Sequence, residues 1–249
     1  MSLPALAAFS LAPGLAIGSF LNVVAARLPE RRSIIRPRSA CPACRATLAW
    51  YDNVPLVSYV LLRGCCRHCR GRIGLRYPAL ELATALLMAG CVLAFGLTLH
   101  ALAAAVFSCA LVVITATDLE RSIVPNRVVL PGAAVVLALQ TVSDPSPEWV
   151  IGALGASGFL LLTALIYPAG MGMGDVKLAL LMGAALGRTV PVALMLGMVA
   201  ALVPSLVLFS RHGSKARKMA IPFAPFLAIG SVIALFAGHA LIGAYLSFF

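Results

Sequence analysis

The sequence predicts an all-α polytopic membrane protein of about eight transmembrane helices, with a small zinc-stapled cytoplasmic domain inserted after helix 1. Its 249 residues are 61% hydrophobic and only 11% charged, whereas soluble domains carry about 25% charged residues. Several apolar runs approach the roughly 20 residues that a membrane-spanning helix needs. If these runs alternate in direction, 18 of the 19 basic residues fall on one side, as the positive-inside rule requires.

The first apolar run decides the orientation. It has no Lys or Arg before it, and its positive charge begins at Arg27. A cleaved secretory signal carries its charge in front of the apolar segment, so we predict a retained helix with its N-terminus outside; a cleaved signal is the alternative. The predicted helices, of which the fourth and sixth are short, are Pro4–Ala25, Ala79–Gly96, Leu99–Thr117, Val128–Val142, Trp149–Ala169, Val176–Gly187, Val190–Ser210 and Pro222–Phe248.

The net charge of +11 follows this topology. The basic residues lie in the predicted cytoplasmic segments 27–77, 118–127, 170–177 and 211–220, and only Arg188 lies outside. We therefore interpret the charge as a topology signal and a surface for anionic membrane lipid, with no nucleic-acid partner. The predicted domains are residues 1–26 as transmembrane helix 1, 27–77 as a cytoplasmic zinc-binding domain, and 78–249 as a seven-helix membrane domain.

The cytoplasmic insertion has about 50 residues, too few for an adequate core without a staple. Two C-x-x-C pairs separated by 21 residues have nearly the spacing of a four-thiolate zinc site. Such a site is closed and structural. The alternatives are a reversible redox pair and unliganded thiols. The predicted ligands are Cys41, Cys44, Cys66 and Cys69, with Cys65 and His68 as possible substitutes.

Two of the eight acidic residues stand apart. Asp118 ends the third predicted helix and Asp175 opens the sixth, so both should lie at the cytoplasmic ends of their helices. Two close carboxyl groups in a poorly hydrated site share a proton and become a base and an acid. Such a pair can activate water against a peptide carbonyl, and Gly172 and Gly174 would permit the close approach of an extended substrate.

A purely structural role for these carboxylates is the alternative. One of them would then form a buried ion pair with Lys177 or Arg121, and the other would cap a helix. A non-enzymatic proton-coupled carrier is a further alternative, and it predicts carboxylates near the middle of the bilayer.

An ordered set of motifs resembles the bacterial type IV prepilin leader peptidases, which are intramembrane aspartic proteases of the G-x-G-D type. The match runs from about Gly18 to Gly230. Besides the two cysteine pairs, it comprises GSFLNVVAARLPE, WYDNVPLVSYVLLRG, RYPALE, an Asp followed by IVPN, GMGDVKL and IPFAPFLAIG.

The resemblance implies that Asp118 and Asp175 are catalytic at the cytoplasmic face of the bacterial inner membrane. It implies as substrates the basic leaders of type IV prepilins or of type II secretion pseudopilins. Relatives that carry the cysteine domain usually also N-methylate the new terminus with S-adenosylmethionine, although a peptidase without this activity is an alternative. Gly172, Gly174, Lys177, Pro125 and Asn126 are predicted to support the active site.

Overall fold

The computed structural model describes residues 2–167, 171–213 and 222–247. In this part of the chain the predicted all-α fold is confirmed, and the only β-structure is a pair of isolated bridges. The helices are α1 Leu3–Arg27, α2 Val57–Leu61, α3 Arg76–Phe95, α4 Leu99–Arg121, α5 Asn126–Ser143, α6 Glu148–Ile166, α7 Met173–Leu186, α8 Val190–His212 and α9 Ala224–Leu246.

The chain forms two compact units, Met1–Leu97 and Thr98–Phe249. The first contains α1, α2 and α3. Its boundary with the second follows α3, whereas the sequence analysis places a boundary after residue 77. Part of the predicted basic loop after α8, including Lys215, Arg217 and Lys218, lies outside the described residues.

Seven segments of the described chain are long and apolar enough to cross a membrane. One of them, Met173–Arg211, has 39 residues and would be about 58 Å long as one helix, twice the apolar thickness of a bilayer. It is broken by a 3-10 turn at Gly187–Thr189, where Gly187 has a φ of 52°. The break separates α7 from α8, so the eight predicted helices correspond to α1 and α3 to α9.

In the first unit, α1 and α3 pack antiparallel with their backbones close together. A Cβ atom on Gly14 would lie 2.7 Å from the Cα of Ala85, and one on Gly18 would lie 2.7 Å from the Cα of Glu81. One turn further along α1, the Asn22 side chain donates a hydrogen bond to the Tyr77 carbonyl at 3.0 Å. Small residues therefore allow this close contact, as is usual for helices in membranes.

In the second unit, glycines also mark the closest helix contacts. A Cβ atom on Gly152 of α6 would lie 2.8 Å from the Gly183 carbonyl oxygen of α7. Gly152 opens the segment GALGASG of α6, and this glycine allows the two helices to pack closely. At the other two glycines of the segment, Gly155 and Gly158, an added Cβ atom would have no neighbouring atom of the described residues within 4 Å.

Helix directions in the second unit follow from these contacts. Gly152 near the start of α6 meets the end of α7, so these helices are antiparallel. Gly238 of α9 lies against Thr189, whereas Gly197 of α8 lies against Leu227 near the start of α9. Helix α8 therefore runs back, antiparallel to α9.

The C-terminal end of α4 and the N-terminal ends of α5, α7 and α9 consequently meet at one end of the second unit. At the other end, Arg188 pairs with Glu148 at 2.6 Å. This pair joins the start of α6 to the turn after α7.

Candidate active site and metal centre

Asp118 lies in the last turn of α4, where it is buried with 6% of its surface exposed. Its Oδ2 atom accepts a hydrogen bond at 3.0 Å from the backbone N–H of Ala224, the first residue of α9. A helix N-terminus carries partial positive charge, so α9 presents a fixed donor and a favourable dipole to this carboxylate. Just beyond Asp118, Ser122 ends α4 in the left-handed conformation with a φ of 53°.

Asp175 is the third residue of α7 and is half-buried. Its backbone N–H donates to the Gly172 carbonyl at 3.1 Å, which closes the first turn of the helix. Its carboxylate is close enough to Asp118 for the two charges to interact electrostatically. The structure thus brings together two acidic side chains that are 57 positions apart in the sequence.

Gly174 explains how α7 approaches the segment after Asp118. A Cβ atom at this position would lie 2.9 Å from the Cβ atom of Val124, which is closer than two side chains can come. At Gly172, by contrast, a Cβ atom would lie 3.7 Å from Oδ2 of Asp175, an ordinary contact distance. The backbone therefore needs glycine at position 174 for close packing, whereas contact of either glycine with a substrate remains a prediction.

The three remaining predicted support residues also lie at this end of the unit. Lys177 donates from Nζ to Oδ1 of Asn126 at 3.0 Å, which ties α7 to the start of α5. Pro125 is buried and precedes α5, and its carbonyl accepts the Val128 N–H at 2.9 Å. The structure therefore links Lys177 to an amide, where the structural alternative expects an ion pair with an aspartate.

Ala224 is a site residue that the sequence analysis does not single out. The motif IPFAPFLAIG contains it, but its contribution is a backbone N–H that every residue except proline possesses. The side chain carries no signal for such a contact. The capping role that the structural alternative assigns to one aspartate is partly realised here, because Asp118 does hold the first N–H of α9.

The predicted cysteine quartet is assembled in the first unit. The Sγ atoms of Cys41, Cys44, Cys66 and Cys69 all lie within 4.8 Å of one another. Two of the distances are 3.8 Å, from Cys41 to Cys69, and 4.0 Å, from Cys44 to Cys66. Zn–S bonds of about 2.3 Å place the sulfurs of a tetrahedral site about 3.8 Å apart, so the four thiols fit a zinc ion.

The two cysteine pairs have the same backbone geometry. The Cys41 N–H donates to the Ala46 carbonyl, and the Cys66 N–H donates to the Gly71 carbonyl five residues on. Each pair is flanked by one isolated bridge, Ala40 with Thr47 and Cys65 with Arg72. Two equivalent turns therefore present two sulfurs each, as a closed metal site requires.

Backbone donors inside each turn prepare the sulfurs for metal binding. Hydrogen bonds from the backbone of Cys44 and then Ala43 lower the pKa of Cys41 to about 6. The corresponding bonds from Cys69 and then His68 lower the pKa of Cys66. Because the thiolate is the form that binds metal, these donors favour the ligand form of both thiols.

The acidic residues of the first unit have local partners. Asp52 pairs with Arg67 at 2.8 Å and its side chain is only 3% exposed. Glu30 pairs with Arg32 at 3.2 Å. Glu81 is buried in α3 and accepts the Leu56 N–H at 2.9 Å. These carboxylates therefore contribute to the fold of the unit.

The fold and the two sites define a multi-pass membrane protein with a four-cysteine domain and a pair of interacting aspartates at helix ends. Residues 13–95 match the bacterial peptidase A24 N-terminal domain, and residues 105–206 match the type IV leader peptidase family. The chain belongs to the type IV leader peptidase family. No solved structure matches the chain.

Curated relatives are similar over most of the chain. A prepilin leader peptidase/N-methyltransferase of Bacillus subtilis (strain 168) is 36% identical over 243 residues, which cover 94% of this chain and 95% of the relative. A protein of the same name from Burkholderia pseudomallei (strain 1026b) is 36% identical and covers 93% and 85% of the two chains. One from Myxococcus xanthus (strain DK1622) is 40% identical over 73% of this chain and 56% of the relative.

Proposed function

We propose that the protein is an aspartic endopeptidase that removes the leader peptide of type IV prepilins or type II secretion pseudopilins. The observation that carries this proposal is that Asp118 and Asp175 lie at the same end of the second unit, close enough for their charges to interact. Two neighbouring carboxyl groups that share one proton can activate a water molecule and protonate the leaving group. Both residues lie near helix ends and not at mid-helix, which favours the peptidase over a proton-coupled carrier.

Within this pair, Asp118 is the general base and Asp175 is the general acid. The Ala224 N–H and the N-terminus of α9 stabilise Asp118 in its ionised form, because a donor to a carboxylate favours the charged state. The proton shared by the pair then resides on Asp175. Asp118 takes a proton from water as the water attacks the scissile carbonyl carbon, and Asp175 gives its proton to the leaving amine. Lys177, Asn126 and Pro125 hold α5 and α7 in place around the pair, while Gly172 leaves room for an extended substrate and Gly174 allows Val124 to pack closely.

A second activity, N-methylation of the newly exposed amine, is proposed from the names of the relatives. The methyl donor would be S-adenosylmethionine. Its binding residues are not assigned, and no step of the peptidase reaction depends on it.

The cysteine quartet supports a structural zinc ion in a cytoplasmic domain of residues 27–77. With all four positions taken by sulfur, the ion would fix the fold of this domain and leave no position for substrate. The protein would lie in the bacterial inner membrane with its N-terminus outside. Asp118 and Asp175 would then face the cytoplasm, where a prepilin presents its basic leader.

Mass spectrometry of a prepilin before and after incubation with the purified protein tests both activities together. The expected product has lost its leader and, with S-adenosylmethionine present, has gained about 14 mass units at the new N-terminus. An unchanged prepilin mass with folded protein would contradict the peptidase proposal. Loss of the leader with no mass gain would support the peptidase proposal and contradict the methyltransferase proposal.

A further inference from the structure

Helix α2 in the first unit presents apolar side chains to the surroundings. Val57, Val60 and Leu61 are 52%, 71% and 77% exposed. Together with Leu56 they are the residues that line a shallow groove. Contiguous exposed apolar side chains of this kind mark an interaction site in a folded protein.

The position of α2 along the membrane helices is fixed by a hydrogen bond. The backbone N–H of Leu56, which immediately precedes α2, donates to Oε2 of Glu81 at 2.9 Å. Glu81 is the sixth residue of α3, about 7.5 Å along a candidate membrane span. If this span enters the bilayer at its first residue, the groove lies at the depth where the headgroups meet the acyl chains, which is where interfacial helices bury their apolar side.

Basic residues adjoin the groove at its C-terminal end. Leu61 also lines a second shallow pocket, together with Arg63, Arg67 and Arg70. Arg67 is partly neutralised by Asp52, which leaves a net positive charge. Guanidinium groups match the geometry of phosphate oxygens. The apolar groove therefore adjoins a pocket whose arginines suit a phosphate group.

We propose that the α2 surface, defined as the groove and the adjoining basic pocket within residues 56–70, docks onto anionic phospholipid of the bilayer in which α3 is embedded. Val57, Val60 and Leu61 would enter the acyl boundary, and the arginines would bind lipid phosphate groups. The depth set by Glu81 and the charge beside Leu61 favour lipid over a protein partner. This interaction is independent of the peptidase reaction. If one of the two proposals is wrong, the other is unaffected.

Fluorescence quenching in the full-length protein tests the docking. Trp50 and Trp149 are replaced by Phe, and Val60→Trp supplies the reporter in phosphatidylcholine vesicles with and without phosphatidylglycerol. We expect lipids brominated near the headgroup end of their acyl chains to remove most of the reporter fluorescence, whereas aqueous acrylamide leaves it almost unchanged. Leu61→Trp is a second reporter should the first fail to fold, as judged by its zinc content and thermal unfolding.

Two results would overturn the proposal. Quenching by acrylamide without quenching by brominated lipid would place α2 in water. Quenching by neither would mean that protein covers the groove, whether another part of this chain or a bound partner protein.

A separate comparison of variants tests whether the arginines of the pocket bind anionic lipid. Changing Arg63 and Arg70 together to Gln should abolish any increase in lipid quenching that phosphatidylglycerol produces. A matched change of Arg36 and Arg38 to Gln, which removes the same charge from exposed positions outside the pocket, should leave that increase intact. An equal loss of this increase in both double variants would show that only the bulk charge acts. It would exclude a phosphate site at α2. Addition of free inorganic phosphate should not restore quenching lost in the Arg63 and Arg70 variant.

Discussion

Asp118 and Asp175 differ in what surrounds each carboxyl group. Asp118 is buried and holds a backbone N–H at the start of α9, whereas Asp175 is half-buried in the first turn of α7. The sequence identifies both residues because charge within apolar helices is costly and conspicuous. It does not identify Ala224, since a backbone donor leaves no trace in the residue type.

Replacing either aspartate by Asn should lower the rate of leader removal by about 10²- to 10⁴-fold, because each supplies general acid–base catalysis. The rate is measured by mass spectrometry of a prepilin under single-turnover conditions. Asp144→Asn, an exposed carboxylate in the loop after α5, is the matched control and should leave the rate unchanged. Near-normal cleavage by folded Asp175→Asn protein would refute the proposed chemistry.

Ala224→Pro removes the single N–H that Asp118 holds, which lies at the first position of a helix and has no partner within that helix. Loss of a hydrogen bond to a charged group is worth about 10- to 100-fold in rate. Because the ionised form of Asp118 loses its donor, we expect the acidic limb of the pH profile of kcat/KM to move to higher pH. The other ionisable groups of the described residues at this end are Asp175 and Lys177 on α7, Glu120 and Arg121 on α4, Arg127 on α5 and Arg211 on α8.

The control for this prediction is Ala224→Gly, which keeps the N–H and should leave the acidic limb in place. A general structural defect would lower activity equally at every pH. An unmoved limb in active Ala224→Pro protein would contradict the assignment of Asp118 as the base.

At the scale of helices, a few glycines determine how closely neighbouring helices pack. Gly187 ends α7 with a positive φ, a conformation that favours glycine. The sequence analysis accordingly ends its sixth predicted helix at this residue. Helix α2 is not predicted, because five residues are too short for a periodic signal and form a helix only where their surroundings hold them. The contact of Gly174 with Val124 joins two segments far apart in sequence, so it could not be inferred from either segment alone.

Gly183→Ala should destabilise the second unit by about 1–3 kcal/mol, because the added methyl group would overlap the backbone of Gly152 across the contact between α6 and α7 and overpacking costs energy of this order. Equilibrium unfolding in detergent measures the change. Gly155→Ala and Gly158→Ala on α6, where a Cβ meets open space, should show no such loss. Equal stability of all three variants would argue against tight packing at this contact.

At the scale of the whole molecule, the chain combines a domain whose four cysteines could hold a metal ion with a bundle of apolar helices. The cysteine spacing is sufficient to predict the quartet, since four thiols at this separation have few other uses. The sequence also predicts the number of helices well, because apolar length is a property of each whole segment, whereas the orientation inferred from charge asymmetry stays a prediction. The relative positions of α4 and α9 depend on tertiary packing and could not be obtained this way.

Cys66→Ser should remove bound zinc and unfold the four-cysteine domain, because structural zinc contributes about 10 kcal/mol or more to the folding of small metal-dependent domains. Zinc content by elemental analysis and limited proteolysis of residues 27–77 measure the two effects. Cys65→Ala, next to it but outside the quartet, should retain the metal. Stoichiometric zinc in Cys66→Ser protein would exclude the four-thiolate site.

The reversal between α7 and α8 makes a further prediction for the whole chain. Eight crossings place the N- and C-termini on the same side, whereas an unbroken Met173–Arg211 span would place them on opposite sides. Alkaline phosphatase fused after Leu246 should therefore be active outside the cytoplasm. Green fluorescent protein fused after Ser210 should fluoresce inside, and N- and C-terminal fusions that report opposite sides of the membrane would refute the reversal.

The shortness of α7 has a consequence for the lipid environment. At 14 residues it is about 21 Å long, less than the apolar thickness of a bilayer, and alone it would suffer hydrophobic mismatch. Nine of its residues are buried, however, so the neighbouring helices shield it from acyl chains. The protein can thus carry Asp175 on a helix shorter than the bilayer without exposing most of that helix to lipid.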